Sequence, residues 1–215
     1  IGDMTDFLIN NIELIGGSTL LCCSHNGTIY IDTVTGETSV PPFNLHNEVS
    51  ATFTDSKGRI WMSYYNNGIA VFDHNGRILQ RYSTSDSGLS NDVVLCMTER
   101  DSYIWAGTDG GGINIINPET SEIRVISHIA GDPSSLPAHS IKSIYTDEYG
   151  NIWAGSIREG LVRISESGMM TYSDSHIGLT TGLSNPTVLC LYQDGDDEDI
   201  WIGTEAERLC RYVAE

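Results

Sequence analysis

Short runs in which apolar and polar residues alternate recur along the whole chain, and residues 141–172 show the pattern most clearly. Ile141-Lys142-Ser143-Ile144-Tyr145 alternates as a half-buried strand should. Asp147-Glu148-Tyr149-Gly150-Asn151 then reads as a hairpin connection, with Gly150 free to take a positive φ. Ile152-Trp153-Ala154-Gly155 is a second strand, followed by a loop that closes at Gly160. Leu161-Val162-Arg163-Ile164 is the third strand and Met169-Met170-Thr171-Tyr172 the fourth. No segment carries a convincing helical apolar period, so the pattern predicts strands throughout.

The unit repeats. Four tryptophans stand at 61, 105, 153 and 201, separated by 44, 48 and 48 residues, and each follows an isoleucine. Two positions after each Trp comes a small residue: Ser63, Gly107, Gly155 and Gly203. Seven positions after it stands Gly68, Gly112 or Gly160, with Arg208 in the last copy. An upstream copy without Trp has Gly27 before Thr28-Ile29-Tyr30-Ile31, which places Leu20 in the Trp slot. Five four-stranded units at 41–48 residues predict an all-β fold, a β-propeller with blades at roughly 1–43, 44–86, 87–130, 131–177 and 178–215. Helical repeats would need a different period, and a β-solenoid a shorter one. The last unit has no residues for a fourth strand after Leu209-Cys210-Arg211-Tyr212-Val213, so the expectation is part of a larger propeller with exposed edges that invite self-association.

Composition removes some functions. Lys plus Arg total 11 against 29 Asp plus Glu, a formal charge of −18 that would repel phosphate backbones and argues against nucleic acid as a partner. Charged residues are 19% and apolar ones 40%, which is a folding composition and not a disordered one. No apolar run approaches the roughly 18 residues of a membrane span. Cys22, Cys23, Cys96, Cys190 and Cys210 show no metal-site spacing and read as buried free thiols; no metal or cofactor is expected.

Several stretches resemble the two-component regulator propeller repeat. They are Gly88-Leu89-Ser90-Asn91 and Gly182-Leu183-Ser184-Asn185; Asp55-Ser56-Lys57-Gly58-Arg59-Ile60-Trp61 and Asp147 to Trp153; Ile104-Trp105-Ala106-Gly107-Thr108 to Gly112; and Ile200-Trp201-Ile202-Gly203-Thr204. The resemblance weakens before about residue 44. It implies the periplasmic sensor region of a hybrid two-component histidine kinase, a module that recognises glycan fragments, often as a dimer. The membrane span, kinase and regulator of such a protein would lie outside these residues.

Most of the conspicuous motifs have structural readings. The tryptophans recur at one slot and are expected to anchor packing between blades and not to stack on sugars. Leu89, Leu136 and Leu183 are expected to plug between blades. The hairpin Asp lies six before the Trp, one residue off the sialidase Asp-box spacing, and reads as an Asx-turn acceptor. Gly107 to Gly112 leads into a strand and has no Lys-Ser/Thr, so it is not a phosphate loop. The acidic run Asp194 to Asp199 lacks the ligand alternation of a calcium loop. No nucleophile or acid–base constellation appears, and no catalytic residue is assigned.

What differs between copies is the slot four to six residues after each Trp, which carries Tyr65, Asn66, Asp109, Arg158, Glu159, Glu205 and Glu207 in the copies that have one, with His25 equivalent in the first. Variety at one slot of a uniform repeat is the mark of a binding rim; the plainer reading is ordinary solvent-facing loop. Tyr65, Asn66, Asp109, Arg158, Glu159 and Glu205 are the candidate ligand residues, for an oligosaccharide that wants carboxylates, a cation and an aromatic face. The long connections 127–140 and 173–187 add His128, Asp132, His139, Asp174 and His176. The reading is therefore a non-catalytic, extracytoplasmic, glycan-sensing propeller. The alternatives are a protein-interaction scaffold and, with less support, a polysaccharide hydrolase or lyase.

Overall fold

The computed structural model describes residues 9–43, 48–132, 134–172, 183–193, 199–205 and 208–213, and among them every regular element is a strand. Five antiparallel meanders follow one another along the chain. Sheet 1 is β1 (Ile9–Ile15), β2 (Thr19–Ser24), β3 (Gly27–Asp32) and β4 (Thr38–Ser39). Sheet 2 is β5 (Val49–Thr54), β6 (Ile60–Tyr64), β7 (Gly68–Phe72) and β8 (Ile78–Tyr82). Sheet 3 is β9 (Val94–Arg100), β10 (Tyr103–Thr108), β11 (Ile113–Ile116) and β12 (Ile123–Ile126). Sheet 4 is β13 (Ile141–Thr146), β14 (Ile152–Ser156), β15 (Leu161–Ser165) and β16 (Gly168–Tyr172). Sheet 5 has three described strands, β17 (Val188–Gln193), β18 (Ile200–Thr204) and β19 (Arg208–Tyr212). These are the blades of a β-propeller, as the repeat predicts, and they fall into two compact units, residues 1–94 and 95–215.

Each unit has its own apolar core between successive sheets. In the first, Leu21 and Cys23 of sheet 1 pack with Phe43, Val49, Met62, Tyr64 and Phe72. In the second, Trp105 and Ile113 of sheet 3 meet Leu136, Ile141, Ile152 and Val162. Trp153, Leu161 and Tyr172 of sheet 4 likewise meet Leu183, Val188, Ile200 and Ile202. Leu136 and Leu183 therefore do plug between neighbouring sheets, and Leu89 is buried as well. Trp61, Trp105 and Trp153 are buried packing anchors.

Two glycine slots explain how closely the layers meet. A Cβ on Gly107 would lie 2.7 Å from Ile141 Cγ2, and one on Gly155 would lie 2.5 Å from Val188 Cγ1. The second strand of one sheet thus lets a β-branched residue of the next sheet sit directly over its backbone. The other slot, at Gly68, Gly112 and Gly160, has φ of 67°, 76° and 87°. A Cβ there would strike the carbonyl oxygen of Tyr82, Ile126 or Tyr172 at 2.1–2.2 Å. The same glycines donate their N–H groups to Asp92, His139 and Pro186, in the segments leading to the following sheet.

One slot departs from the sequence reading. Counting back from Gly27 assigned Leu20 to the Trp position, but the ladders assign it to Leu21. Leu21 pairs with Glu13 where Trp61 pairs with Phe53, each two pairs beyond a first-strand bulge. The turn from β2 to β3 holds two residues, His25 and Asn26, where the turn from β6 to β7 holds three. Leu21 accordingly is buried and Leu20 only half so.

Gly150 and Gly160 separate backbone strain from close approach, because a Cβ on Gly150 (φ 76°) would meet nothing within 4 Å. Gly150→Ala should cost about 1–2 kcal/mol, the ordinary penalty of a left-handed residue. Gly160→Ala should cost clearly more, since the Tyr172 carbonyl must move. Urea unfolding of both variants checks this; equal losses would show that the close approach imposes no constraint.

Candidate ligand-binding loops

Every four-stranded meander has two ends. One carries the hairpins joining its first to second and third to fourth strands; the other carries the second-to-third turns and the connections between sheets. The repeat treats these ends differently.

At the hairpin end an aspartate locks the turn. Asp55 Oδ1 accepts the N–H groups of Lys57 (3.0 Å) and Arg59 (2.9 Å). Its Oδ2 accepts the Trp61 indole N–H at 2.8 Å and the Arg59 guanidinium at 2.6 Å. Sheet 4 repeats the arrangement: Asp147 Oδ1 accepts from Tyr149 and Asn151, and its Oδ2 from the Asn151 amide and the Trp153 indole, both at 2.8 Å. The Asx acceptor role was legible in the sequence; the indole partner was not, although the six-residue spacing is its signal. An arginine also lies over each tryptophan: Arg59 on Trp61, Arg100 on Trp105, Arg163 on Trp153 and Arg211 on Trp201, 5.3–6.0 Å from the ring centroids. These arginines hold the frame together.

At the loop end a hydroxyl organises the turn. Thr108 Oγ1 donates to Gly112 O and accepts from Gly111 N, and Ser156 Oγ does the same with Gly160 O and Glu159 N. Ser24 makes the matching pair with Gly27 O and Asn26 N. The backbone of these turns is therefore fixed, while the side chains beyond the hydroxyl point to solvent. Tyr65 and Asn66 are exposed on the β6–β7 turn of the first unit. In the second unit Asp109, Arg158 with Glu159, and Glu205 are exposed on the equivalent turns of sheets 3, 4 and 5. Tyr65 N and Glu205 N donate to Glu48 O and Thr187 O, which ties the turns to the start of their own sheets. Asp109 Oδ1 accepts from Ser140 Oγ at 2.7 Å, and among the described residues Arg158 has no ion pair. Each of the six lies on the second-to-third-strand turn of its own sheet, with Tyr65 and Asn66 adjacent on one turn and Arg158 and Glu159 adjacent on another.

Arg158 has an unusual backbone. The turn position it occupies is left-handed in three sheets: Asn66 has φ 56°, Gly110 has 97° and Arg158 has 75°. Asn and Gly tolerate that region, whereas Arg does so only at a cost.

The connection 127–140 is bonded mainly to itself. His128 Nδ1 donates to Leu136 O at 2.7 Å, its ring lies edge-on to His139 at 4.8 Å, and Asp132 Oδ1 accepts from Ser134. Residues 173–182, with Asp174 and His176, lie outside the described residues, as do Glu207 and most of the acidic run, 194–198. No group of three metal-ligating side chains occurs among the described residues.

Two concave sites lie at the hairpin end, away from the candidate residues. One, of about 460 Å³, is lined by Ile15, Thr19, Tyr30, Asp32 and Glu37 among others. The other, of about 250 Å³, is lined by Tyr103, Asn117, Glu122 and Arg124, with Arg124 over the Tyr103 ring at 5.6 Å. Sequence reasoning passed over these residues because they belong to the ordinary hairpin positions of the repeat.

All five cysteines are free. Burial pushes the thiols of Cys23 and Cys96 up to about 12, so they are inert near neutral pH. Two cysteines depart from the expectation of buried thiols: Cys190 is exposed and Cys96 half-buried among the described residues.

The fold is a β-propeller, and residues 135–158 and 182–206 match the two component regulator propeller family, the family whose repeat the sequence motifs resemble. A similar solved structure is the extracellular domain assigned to a hybrid two component system, BT3049, of B. thetaiotaomicron, at 19% identity and TM-score 0.67, covering 95% of this chain and 33% of that one. A second such domain from B. thetaiotaomicron, BT4673, has 19% identity and TM-score 0.67, covering 94% and 26%. Virginiamycin B lyase from Staphylococcus aureus has 17% identity and TM-score 0.68, covering 97% and 71%. At these identities the likeness shows the fold, and the chain spans about a third of the length of the first of these structures. No curated protein matches the chain by sequence. Among the described residues no helix is long and apolar enough to cross a membrane.

The Asp55 clamp has a pH signature. Burial pushes its carboxyl up, but the hydrogen bonds from Trp61 and Arg59, with the Arg59 charge, outweigh that and hold it below its ordinary 3.8. A lowered folded-state value means the clamp stabilises fully above that ordinary value and weakens as pH falls through the folded one. Asp55→Ala should therefore cost about 2–3 kcal/mol at pH 7, and its deficit relative to wild type should shrink in acid below 3.8. Urea unfolding at neutral and acid pH measures both; a deficit independent of pH would contradict the clamp.

Proposed function

We propose that this chain is a non-catalytic, extracytoplasmic sensor module of a hybrid two-component histidine kinase. Its loop end recognises a glycan-derived oligosaccharide and passes the signal to a kinase outside these residues. The family repeat and the extracellular two-component domains among its structural relatives support the class of module.

The observation that carries ligand recognition is Arg158. It stands at a left-handed position where the equivalent turns use Asn66 and Gly110, its side chain is exposed, and no ion pair among the described residues accounts for it. A strained backbone with no packing reward is what a binding role would maintain. Asp109 and Glu205 on neighbouring equivalent turns supply acceptors for sugar hydroxyls, and Tyr65 and Asn66 supply an aromatic face and an amide on theirs.

The test is thermal-shift screening of the purified chain against plant and host oligosaccharides. A ligand at about 100 times its dissociation constant should stabilise the fold by about 2.7 kcal/mol. Arg158→Gly should raise the stability of the free protein by about 1 kcal/mol, since it relieves the left-handed strain, and abolish the ligand shift. A hit whose shift survives both Arg158→Gly and Asp109→Ala would move the site off these loops.

A further inference from the structure

The connection 127–140 between sheets 3 and 4 brings together two imidazoles that stand eleven residues apart in the chain. His128 is half-buried, and its Nδ1 lies 2.7 Å from Leu136 O. A carbonyl oxygen only accepts, so Nδ1 carries the proton and the lone pair of the neutral ring is on Nε2. Leu136 is fully buried between the two sheets, which makes its carbonyl a fixed anchor for the ring. A histidine that donates from one nitrogen to a backbone carbonyl and keeps the lone pair of the other is oriented as metal-binding histidines are.

The second imidazole is within reach of the same ion. His139 is exposed, and among the described residues its ring has no hydrogen bond; it meets His128 edge-on, with ring centroids 4.8 Å apart. Its backbone is held, since His139 O accepts from Gly112 N at 2.8 Å. Metal–imidazole bonds of about 2.0–2.1 Å set two rings in neighbouring positions of one ion with their centres roughly 4.5–5 Å apart. The spacing of the pair meets that requirement. Turning the His139 ring about its Cβ–Cγ bond redirects its nitrogens and leaves the ring centre nearly in place.

The nearby carboxylates are engaged elsewhere. Asp132 Oδ1 accepts from Ser134 N at 2.9 Å and from Ser134 Oγ at 2.6 Å, and Asp109 Oδ1 accepts from Ser140 Oγ at 2.7 Å. The pair therefore offers two nitrogens and leaves the other positions of an ion to water. Imidazole suits Cu²⁺, Ni²⁺ and Zn²⁺, whereas Ca²⁺ and Mg²⁺ take oxygen ligands.

We infer that His128 and His139 form a binding site for a divalent transition-metal ion, held through one nitrogen of each ring. The sequence carries no signal for it, because a spacing of eleven across an irregular connection matches no ligand motif. The ion links the two ends of the connection that carries the Leu136 plug. Ser140, next to His139, bonds Asp109 on the β10–β11 turn, so metal binding stiffens the segment beside one of the candidate ligand turns. The net charge of −18 favours a cation there.

Calorimetric titration of the purified chain with Ni²⁺, at neutral pH and without a histidine tag, tests this. Wild type should bind the ion and unfold at a higher temperature in its presence, and excess Mg²⁺ or Ca²⁺ should not displace it. His139→Ala should weaken binding at least tenfold while keeping the wild-type circular dichroism spectrum, because its ring holds no hydrogen bond. Acidification to about pH 5 should release the ion, since both imidazoles must be neutral to bind it. Electron paramagnetic resonance of the Cu²⁺ complex should show two nitrogen donors in wild type and one in His139→Ala. Cys190→Ser, which removes an exposed thiol, should bind as wild type does. No binding of Ni²⁺ at millimolar concentration overturns the proposal, as does binding unchanged by His139→Ala or lost in Cys190→Ser.

Discussion

The nesting of one sheet's β-branched residue over the bare backbone of its neighbour is the constraint on which the other features depend. Ile141 over Gly107 and Val188 over Gly155 bring the layers closer than any side chain would permit. That approach buries Trp105 and Trp153 against Leu136 and Leu183, and it makes the small residue after each Trp a packing requirement. In sheet 4 it leaves Leu161 and Ser143 buried, whereas the residues at the same slots of sheet 5, Leu209 and Cys190, are exposed among the described residues.

Given that frame, the two ends of each meander divide the work. At the hairpin end, buried carboxylates, indoles and guanidiniums satisfy one another, and four of the nine arginines are drawn over the four tryptophans. Sequence freedom there is small, because each group is another's hydrogen-bond partner. At the loop end, a hydroxyl and a glycine hold the backbone through main-chain atoms, so the side chains between them are released from structural duty. Variation collects where the fold does not need particular side chains. Arg158 is the informative exception, since its backbone conformation is one the fold would assign to Asn or Gly.

Electrostatics sharpen the distinction. In a chain with 11 basic residues against 29 acidic ones, a cation exposed without an ion pair among the described residues is worth attention. Around it on equivalent turns Asp109 and Glu205 carry the opposite charge.

The strands, their order and the five-unit period were determined by the sequence alone, because alternation and turn chemistry are local properties: Gly150 takes the positive φ its position implies, and Asp147 caps its turn. Whether Leu20 or Leu21 takes the Trp slot was decided by the tertiary structure, since a turn shorter by one residue moves every partner across the ladder. The indole bonds to Asp55 and Asp147 depend on how the hairpin folds back along its own second strand, which spacing suggests but does not establish. The candidate loop residues could be named from their variety at one slot, but the strain at Arg158 and the exposure of Cys190 could not. The first is set by the turn that Ser156 and Gly160 close, and the second by packing between residues far apart in the chain.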